Sequence, residues 1–187
     1  RSRLLFGQTS IQSYDPVTQT VATLDGTSPP TLPVLAWAPG STPTAGFILG
    51  GFNRVSQVRN YDFGQDLISA QPLLPLTPDL PLTTLAHDPA QRRLLSTVVQ
   101  GMGAAATLRV LAFDLQSGTG WTELFDLGEP GASLELRPAA AFVPALRRLV
   151  VVQDTRGDAG KSTGMTLRSI DVDSGALVPR DLPTAAG

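Results

Sequence analysis

Apolar positions in this chain come in short runs, each closed by a turn signal. Phe47-Ile48-Leu49, Leu94-Leu95-Ser96-Thr97-Val98-Val99, Leu108-Arg109-Val110-Leu111-Ala112-Phe113 and Leu149-Val150-Val151-Val152 are rich in leucine and β-branched residues. Such residues suit a pleated, half-buried surface. Prolines cut the stretches long enough for a helix: Pro29-Pro30, Pro33, Pro39 and Pro43, then Pro72, Pro75, Pro78 and Pro81. A proline inside a helix costs about 3 kcal/mol. The pattern therefore predicts many short strands and an all-β fold.

An internal repeat organises these strands. A large apolar residue followed by aspartate recurs at Tyr14-Asp15, Tyr61-Asp62, Phe113-Asp114 and Ile170-Asp171, at intervals of 47, 52 and 57 residues. A turn follows each one: Thr18-Gln19, Gly64-Gln65, Ser117-Gly118 and Ser174-Gly175. Another apolar residue then opens the next strand, at Val21, Ile68, Trp121 and Leu177; the offsets are seven, seven, eight and seven, with Gly120 as the extra residue. Aspartate at this place is suited to accept hydrogen bonds from the backbone amides that follow it. The apolar residue beyond the turn is expected to return to the core between sheets. Arg92-Arg93-Leu94 and Arg147-Arg148-Leu149 form a second landmark 55 residues apart, each launching a strand after a turn containing Pro89 or Pro144.

Each unit reads as a small antiparallel meander that buries its faces only by packing against its neighbours around an axis. The expected organisation is a single domain over 1–187, with units at about 1–28, 33–76, 82–128 and 138–183. Units two to four have four strands each, beginning near Val34, Leu82 and Ala139. The first unit begins at Leu4, where the others have their second strand.

These residues resemble the kelch-repeat and galactose-oxidase-like β-propeller family. In that family a strand ending in Gly-Gly precedes a variable loop, a tyrosine-bearing strand and a tryptophan about seven residues later. Gly50-Gly51 and Tyr61 match in the second unit, with Ile68 in the tryptophan place. Phe113 and Trp121 match in the third, with Val99-Gln100-Gly101 for the glycine pair. Val152-Gln153, Ile170 and Leu177 in the fourth, and Phe6-Gly7, Tyr14 and Val21 in the first, keep the hydrophobic pattern. The resemblance implies blades of four-stranded antiparallel meanders in a partial or split ring, whose remaining blades come from elsewhere. Galactose-oxidase-like relatives use copper held by tyrosines and histidines with a cysteine cross-link. This chain has no cysteine, one histidine and two tyrosines, so that activity does not carry over.

Composition narrows the picture further. The net charge is −2 and charged residues make up 16%, which favours neither nucleic acid nor an anionic membrane as a partner. Without cysteine, disulfides, thiolate nucleophiles and cysteine metal sites are excluded. No apolar run approaches the roughly 20 residues of a spanning helix. Lys161 is the only lysine among 14 basic residues, a bias that suggests a GC-rich bacterial genome. An extracytoplasmic or cell-surface location is slightly favoured over the cytoplasm.

Several motifs point to chemistry and are better read as structure. Gly157-Asp158-Ala159-Gly160-Lys161-Ser162-Thr163 resembles the end of a phosphate-binding loop. Thr155 occupies the place of its first glycine, and Met165–Asp171 alternates like a strand where a helix is needed. Arg156-Gly157-Asp158 matches the integrin tripeptide, a match short enough to arise by chance. Asp171-Val172-Asp173-Ser174-Gly175 looks like half a calcium loop, but its glycine is one position early and no bidentate glutamate follows; it reads as a tight hairpin turn. His87-Asp88 holds the sole histidine, at a strand end, and no Gly-x-Ser-x-Gly elbow accompanies it. Gly101-Met102-Gly103 lacks the third glycine of a dinucleotide fingerprint. Trp121, and with less force Trp37, reads as core between sheets.

The expectation is a non-enzymatic protein-binding or scaffold module with no cofactor and no metal. Its partner is a protein, or a second chain that completes the propeller. The loops after the second strand of each blade share one face. Asn53, Arg54, Gln57, Arg59, Arg156, Asp158 and Lys161 are its candidate binding residues. The alternatives are a fragment or subunit of a carbohydrate-active or oxidative propeller enzyme whose site needs another chain, and a structural subunit of a surface assembly.

Overall fold

In the computed structural model, residues 4–6, 12–23, 34–40, 45–52, 55–62, 65, 67–69, 82, 84–100, 107–127, 139–156 and 162–182 are described. The chain divides into two compact units, Arg1–Asp79 and Leu80–Gly187. Four antiparallel sheets account for almost all of the described residues, two in each unit.

The first sheet has three strands in the order β1 (Leu4–Phe6), β2 (Gln12–Asp15) and β3 (Thr20–Thr23). The second runs β4 (Val34–Pro39), β5 (Ala45–Phe52), β6 (Val55–Asp62) and β7 (Leu67–Ile68). The third comprises β8 (Ala86–Asp88), β9 (Arg93–Gln100), β10 (Thr107–Asp114) and β11 (Trp121–Asp126). The fourth comprises β12 (Ala139–Val143), β13 (Arg148–Arg156), β14 (Ser162–Asp171) and β15 (Leu177–Leu182). Every sheet is a meander in which strands adjacent in sequence pair with each other. The one helical element among the described residues is the single 3-10 turn Pro144–Leu146.

The repeated aspartates make the turns. Asp15 Oδ1 accepts the amides of Val17 (2.9 Å) and Thr18 (3.3 Å). Asp62 Oδ1 accepts that of Gln65 (3.1 Å), and Asp114 Oδ1 that of Gln116 (2.8 Å). Asp171 Oδ1 accepts those of Asp173 (3.1 Å) and Ser174 (2.8 Å). The apolar residues that bracket each turn are direct cross-strand partners: Tyr14 with Val21, Tyr61 with Ile68, Phe113 with Trp121, and Ile170 with Leu177. Gly120, the extra residue of the third unit, takes φ 125° and keeps that pairing intact. The second residue of the pair does not return to the core in every sheet. Ile68 is buried and Trp121 half-buried, while Val21 is 56% and Leu177 37% exposed.

The third sheet departs from expectation at its start. β8 begins at Ala86, and Leu82 makes only an isolated bridge to Val98. The side chain of Thr84 explains the break. Its hydroxyl accepts the Thr97 amide (2.9 Å) and pairs with the Thr97 hydroxyl (2.8 Å), while Ser96 Oγ donates to the Thr84 carbonyl. Side-chain bonds replace the ladder there, and these buried polar groups remain satisfied.

The third and fourth sheets pack face to face. Ala86, Leu95, Leu108, Val110 and Ala112 of the third form one apolar layer with Leu149, Val151, Ile170 and Val172 of the fourth. These positions alternate along their strands, as a sheet with one packed face requires. Phe125 of β11 reaches the turn before β15, where a Cβ on Gly175 would come within 2.7 Å of its ring; Gly175 also has φ 75°. Close approach and a left-handed backbone both demand glycine there. Leu149 is 1% exposed at the centre of this layer. Leu149→Ala is expected to cost about 2–5 kcal/mol, read as a lower denaturant midpoint at unchanged slope.

Candidate functional site: a charged clamp and a loop face

Two equivalent turns set up a cluster of paired charges. In the β8–β9 turn the Arg92 amide donates to the Pro89 carbonyl (3.4 Å); in the β12–β13 turn the Arg147 amide donates to the Pro144 carbonyl (3.1 Å). Both arginines are left-handed, at φ 49° and 53°, a conformation that costs a non-glycine residue about 1 kcal/mol. Their carbonyls are then used alike, by the amides of Leu115 (2.9 Å) and Val172 (3.0 Å).

Asp88 ends β8 with its side chain fully buried. Arg93 of the same sheet donates to its Oδ2 from Nε at 3.0 Å, and Arg147 of the fourth sheet donates to Oδ1. Arg147 also forks onto Asp173, with Nε to Oδ2 at 2.9 Å and Nη2 to Oδ1 at 2.7 Å. Arg93 closes the circuit, 3.6 Å from Asp173 and 3.1 Å from the Val172 carbonyl. Two arginines and two aspartates thus form a neutral ring across the two sheets. The Arg147 guanidinium lies 5.6 Å from the Phe142 ring centroid, within cation–π range.

The electrostatics follow from this geometry. Burial pushes the Asp88 carboxyl up, but hydrogen bonds and charge from Arg147 and Arg93 outweigh burial and hold it below the usual aspartate range. Hydrogen bonding to Arg147 lowers Asp173 in the same way, against burial. Arg147 is raised by its hydrogen bonds to Asp173 and Asp88. Asp88, Asp173 and Arg147 are each held in the charged form by other members of the cluster. Such a cluster braces the contact between the two sheets.

The other singled-out residues are placed as follows. His87 is buried within β8, opposite Leu94. Asp171 and Asp173 are committed to the turn and to Arg147. Residues 162–171 form a strand where a nucleotide loop would need a helix. The Trp121 ring sits 5.8 Å from that of Phe113. Among the described residues no three His, Cys, Asp or Glu side chains gather to hold a metal. No described helix is long and apolar enough to cross a membrane.

Asn53, Arg54, Asp158 and Lys161 lie outside the described residues, as do the glycine run at 101–103 and the central residue of Arg156-Gly157-Asp158. Gln57 and Arg59 stand in β6, not in a loop, because Phe52 and Val55 already pair and leave only two residues between β5 and β6. Gln57 is opposite Gly50, and Arg156 ends β13 opposite Ser162. Arg59 is 3% exposed and donates to the Ser69 carbonyl (3.2 Å), so it braces the edge of the second sheet.

No family model matches the chain, and no curated protein matches it in sequence. Solved structures do match. Similarity to a chain of the nidogen/laminin complex has a TM-score of 0.64 at 14% identity, over 96% of this chain and 61% of that one. An auxiliary nutrient binding protein from Bacteroides thetaiotaomicron matches with a TM-score of 0.61 at 14% identity, over 96% and 38%. Oligogalacturonate lyase in complex with manganese matches with 0.54 at 13% identity, over 98% and 63%. These neighbours are β-propeller-type proteins. The four sheets are propeller blades. The chain spans less than two thirds of the length of each of these neighbours. In blade terms, the charged ring clamps blade three to blade four.

Removing one partner of a buried ion pair typically costs about 3–5 kcal/mol, and Asp88→Asn is expected to fall in that range. The folded carboxyl is depressed, so its contribution is present above the unfolded aspartate value and is lost as pH falls through the folded one. Denaturant midpoints measured from neutral pH into the acid range should decline less steeply for Asp88→Asn than for the wild type.

Proposed function

We propose that this chain is a non-enzymatic protein-binding or scaffold module of the kelch-like propeller type. The observation that carries this reading is the use made of the charges between blades three and four. Asp88, Arg93, Arg147 and Asp173 are spent on one another to hold two blades together, and a rigid array of blades is what a binding scaffold needs. The neighbours include both binding proteins and enzymes: one comes from a nidogen/laminin complex, another is a nutrient binding protein and a third is a lyase.

The binding residues in this proposal are those in and beside the loops after the second strands, taken in each unit by itself. Asn53, Arg54, Gln57, Arg156, Asp158 and Lys161 supply the polar groups, and Arg59 stiffens the strand behind them. Exposed loops on a rigid scaffold are where recognition residues concentrate, and arginine favours bidentate contacts to carboxylates on a protein partner. The test is affinity capture with the wild type and with Arg54→Ala/Arg156→Ala. The double variant should lose the captured partner while keeping its thermal midpoint. Unchanged capture would remove these loops from the account.

A further inference from the structure

The repeat makes blades three and four comparable position by position, and one exchange between them changes the chemistry of a turn. Arg92 and Arg147 hold the same place between the first and second strands. Both are left-handed, and both offer their carbonyl to the turn between the third and fourth strands. Gln116 and Asp173 hold the same place in that second turn, because each donates its amide to the aspartate two residues before it, Asp114 or Asp171. The two turns lie at one end of their sheet. The Leu115 amide on the Arg92 carbonyl (2.9 Å) ties them together in blade three.

In blade four these two places hold a base and its acid. Arg147 forks onto both carboxylate oxygens of Asp173, at 2.9 and 2.7 Å. In blade three the arginine is kept and the acid is a neutral carboxamide. Among the described residues no carboxylate pairs with Arg92. The two acids of that sheet end are committed elsewhere. Asp88 is held by Arg93 and Arg147, and Asp114 by the Gln116 amide and by Ser117. Arg92, Gln116 and the Pro89-Ala90 pair are all exposed.

A guanidinium presents a planar fork of donors that matches a carboxylate. The Gln116 carboxamide adds two N–H donors and carries no charge to neutralise the arginine. The left-handed backbone of Arg92, tied down by the Leu115 amide, fixes where the side chain starts. Blade four shows what this arrangement holds when the acid is built in: one carboxylate, gripped through two hydrogen bonds.

We propose that the turn end of blade three receives an aspartate side chain from an acidic segment of a protein partner. The Arg92 fork grips its carboxylate in the place that Asp173 fills in blade four, with Pro89 and Ala90 as the apolar shelf for the segment that carries it. The site stands apart from the loops after the second strands, which leave their sheets at the opposite end, and it does not depend on what those loops bind.

Side-chain NMR of the purified protein tests this, with titration of acetyl-Gly-Asp-Gly-amide and, separately, of its asparagine counterpart acetyl-Gly-Asn-Gly-amide. The Arg92 Nε–H resonance, identified by its loss in Arg92→Gly, should shift saturably with the aspartate peptide and not with the asparagine one. Glycine suits the left-handed backbone, so Arg92→Gly should stay folded at the wild-type thermal midpoint. Gln116→Asp puts an acid in the place of Asp173. It should weaken binding of the aspartate peptide ~10-fold or more at an unchanged thermal midpoint, because the internal carboxylate competes at high effective concentration. A wild type whose Arg92 resonance shows no saturable shift overturns the proposal. So does a shift that the asparagine peptide shares, or one that Gln116→Asp leaves at wild-type strength.

Discussion

The buried carboxylate of Asp88 is the constraint on which the pairing of the third and fourth blades turns. An isolated carboxylate with no exposure to water is unaffordable unless it is paired and hydrogen-bonded. Arg93 of its own blade supplies one partner and Arg147 of the next blade the other. Because the second partner belongs to another sheet, satisfying the charge fixes how the two sheets meet. The apolar layer beneath, from Leu95 and Val110 to Val151 and Ile170, supplies most of the burial but little direction, since hydrophobic attraction is non-directional. The ring of charges gives the contact its register, and the left-handed Arg147 backbone is the local strain that goes with it.

Much of this architecture is legible in the sequence because it rests on local rules. An aspartate after a large apolar residue closes a hairpin by accepting amides two or three residues on, and the paired apolar residues then face one another with period two. Tyr61 with Ile68 and Phe113 with Trp121 follow from spacing alone. The start of β8 is less legible because Thr84 breaks the ladder with its side chain, a choice the backbone pattern does not encode. Gln57 and Arg59 read as loop residues because polar side chains followed a glycine pair, although the pairing of Phe52 with Val55 places them in a strand. The Asp88–Arg147 pair is hidden for another reason. Its members are 59 residues apart, and the repeat obscures the acid, since the matching position in blade four is Val143. The signal that could have found it was a break in the repeat: Asp-Pro at 88–89 where the next unit has Val-Pro at 143–144.

The central claim is that Asp88 and Arg147 act as one unit across the two blades. A double-mutant cycle by equilibrium denaturation, using Asp88→Asn, Arg147→Gln and the double variant, measures this directly. Coupling of about 1–3 kcal/mol is predicted, with the double variant scarcely less stable than the worse single one. Additivity of the two single effects would contradict the clamp.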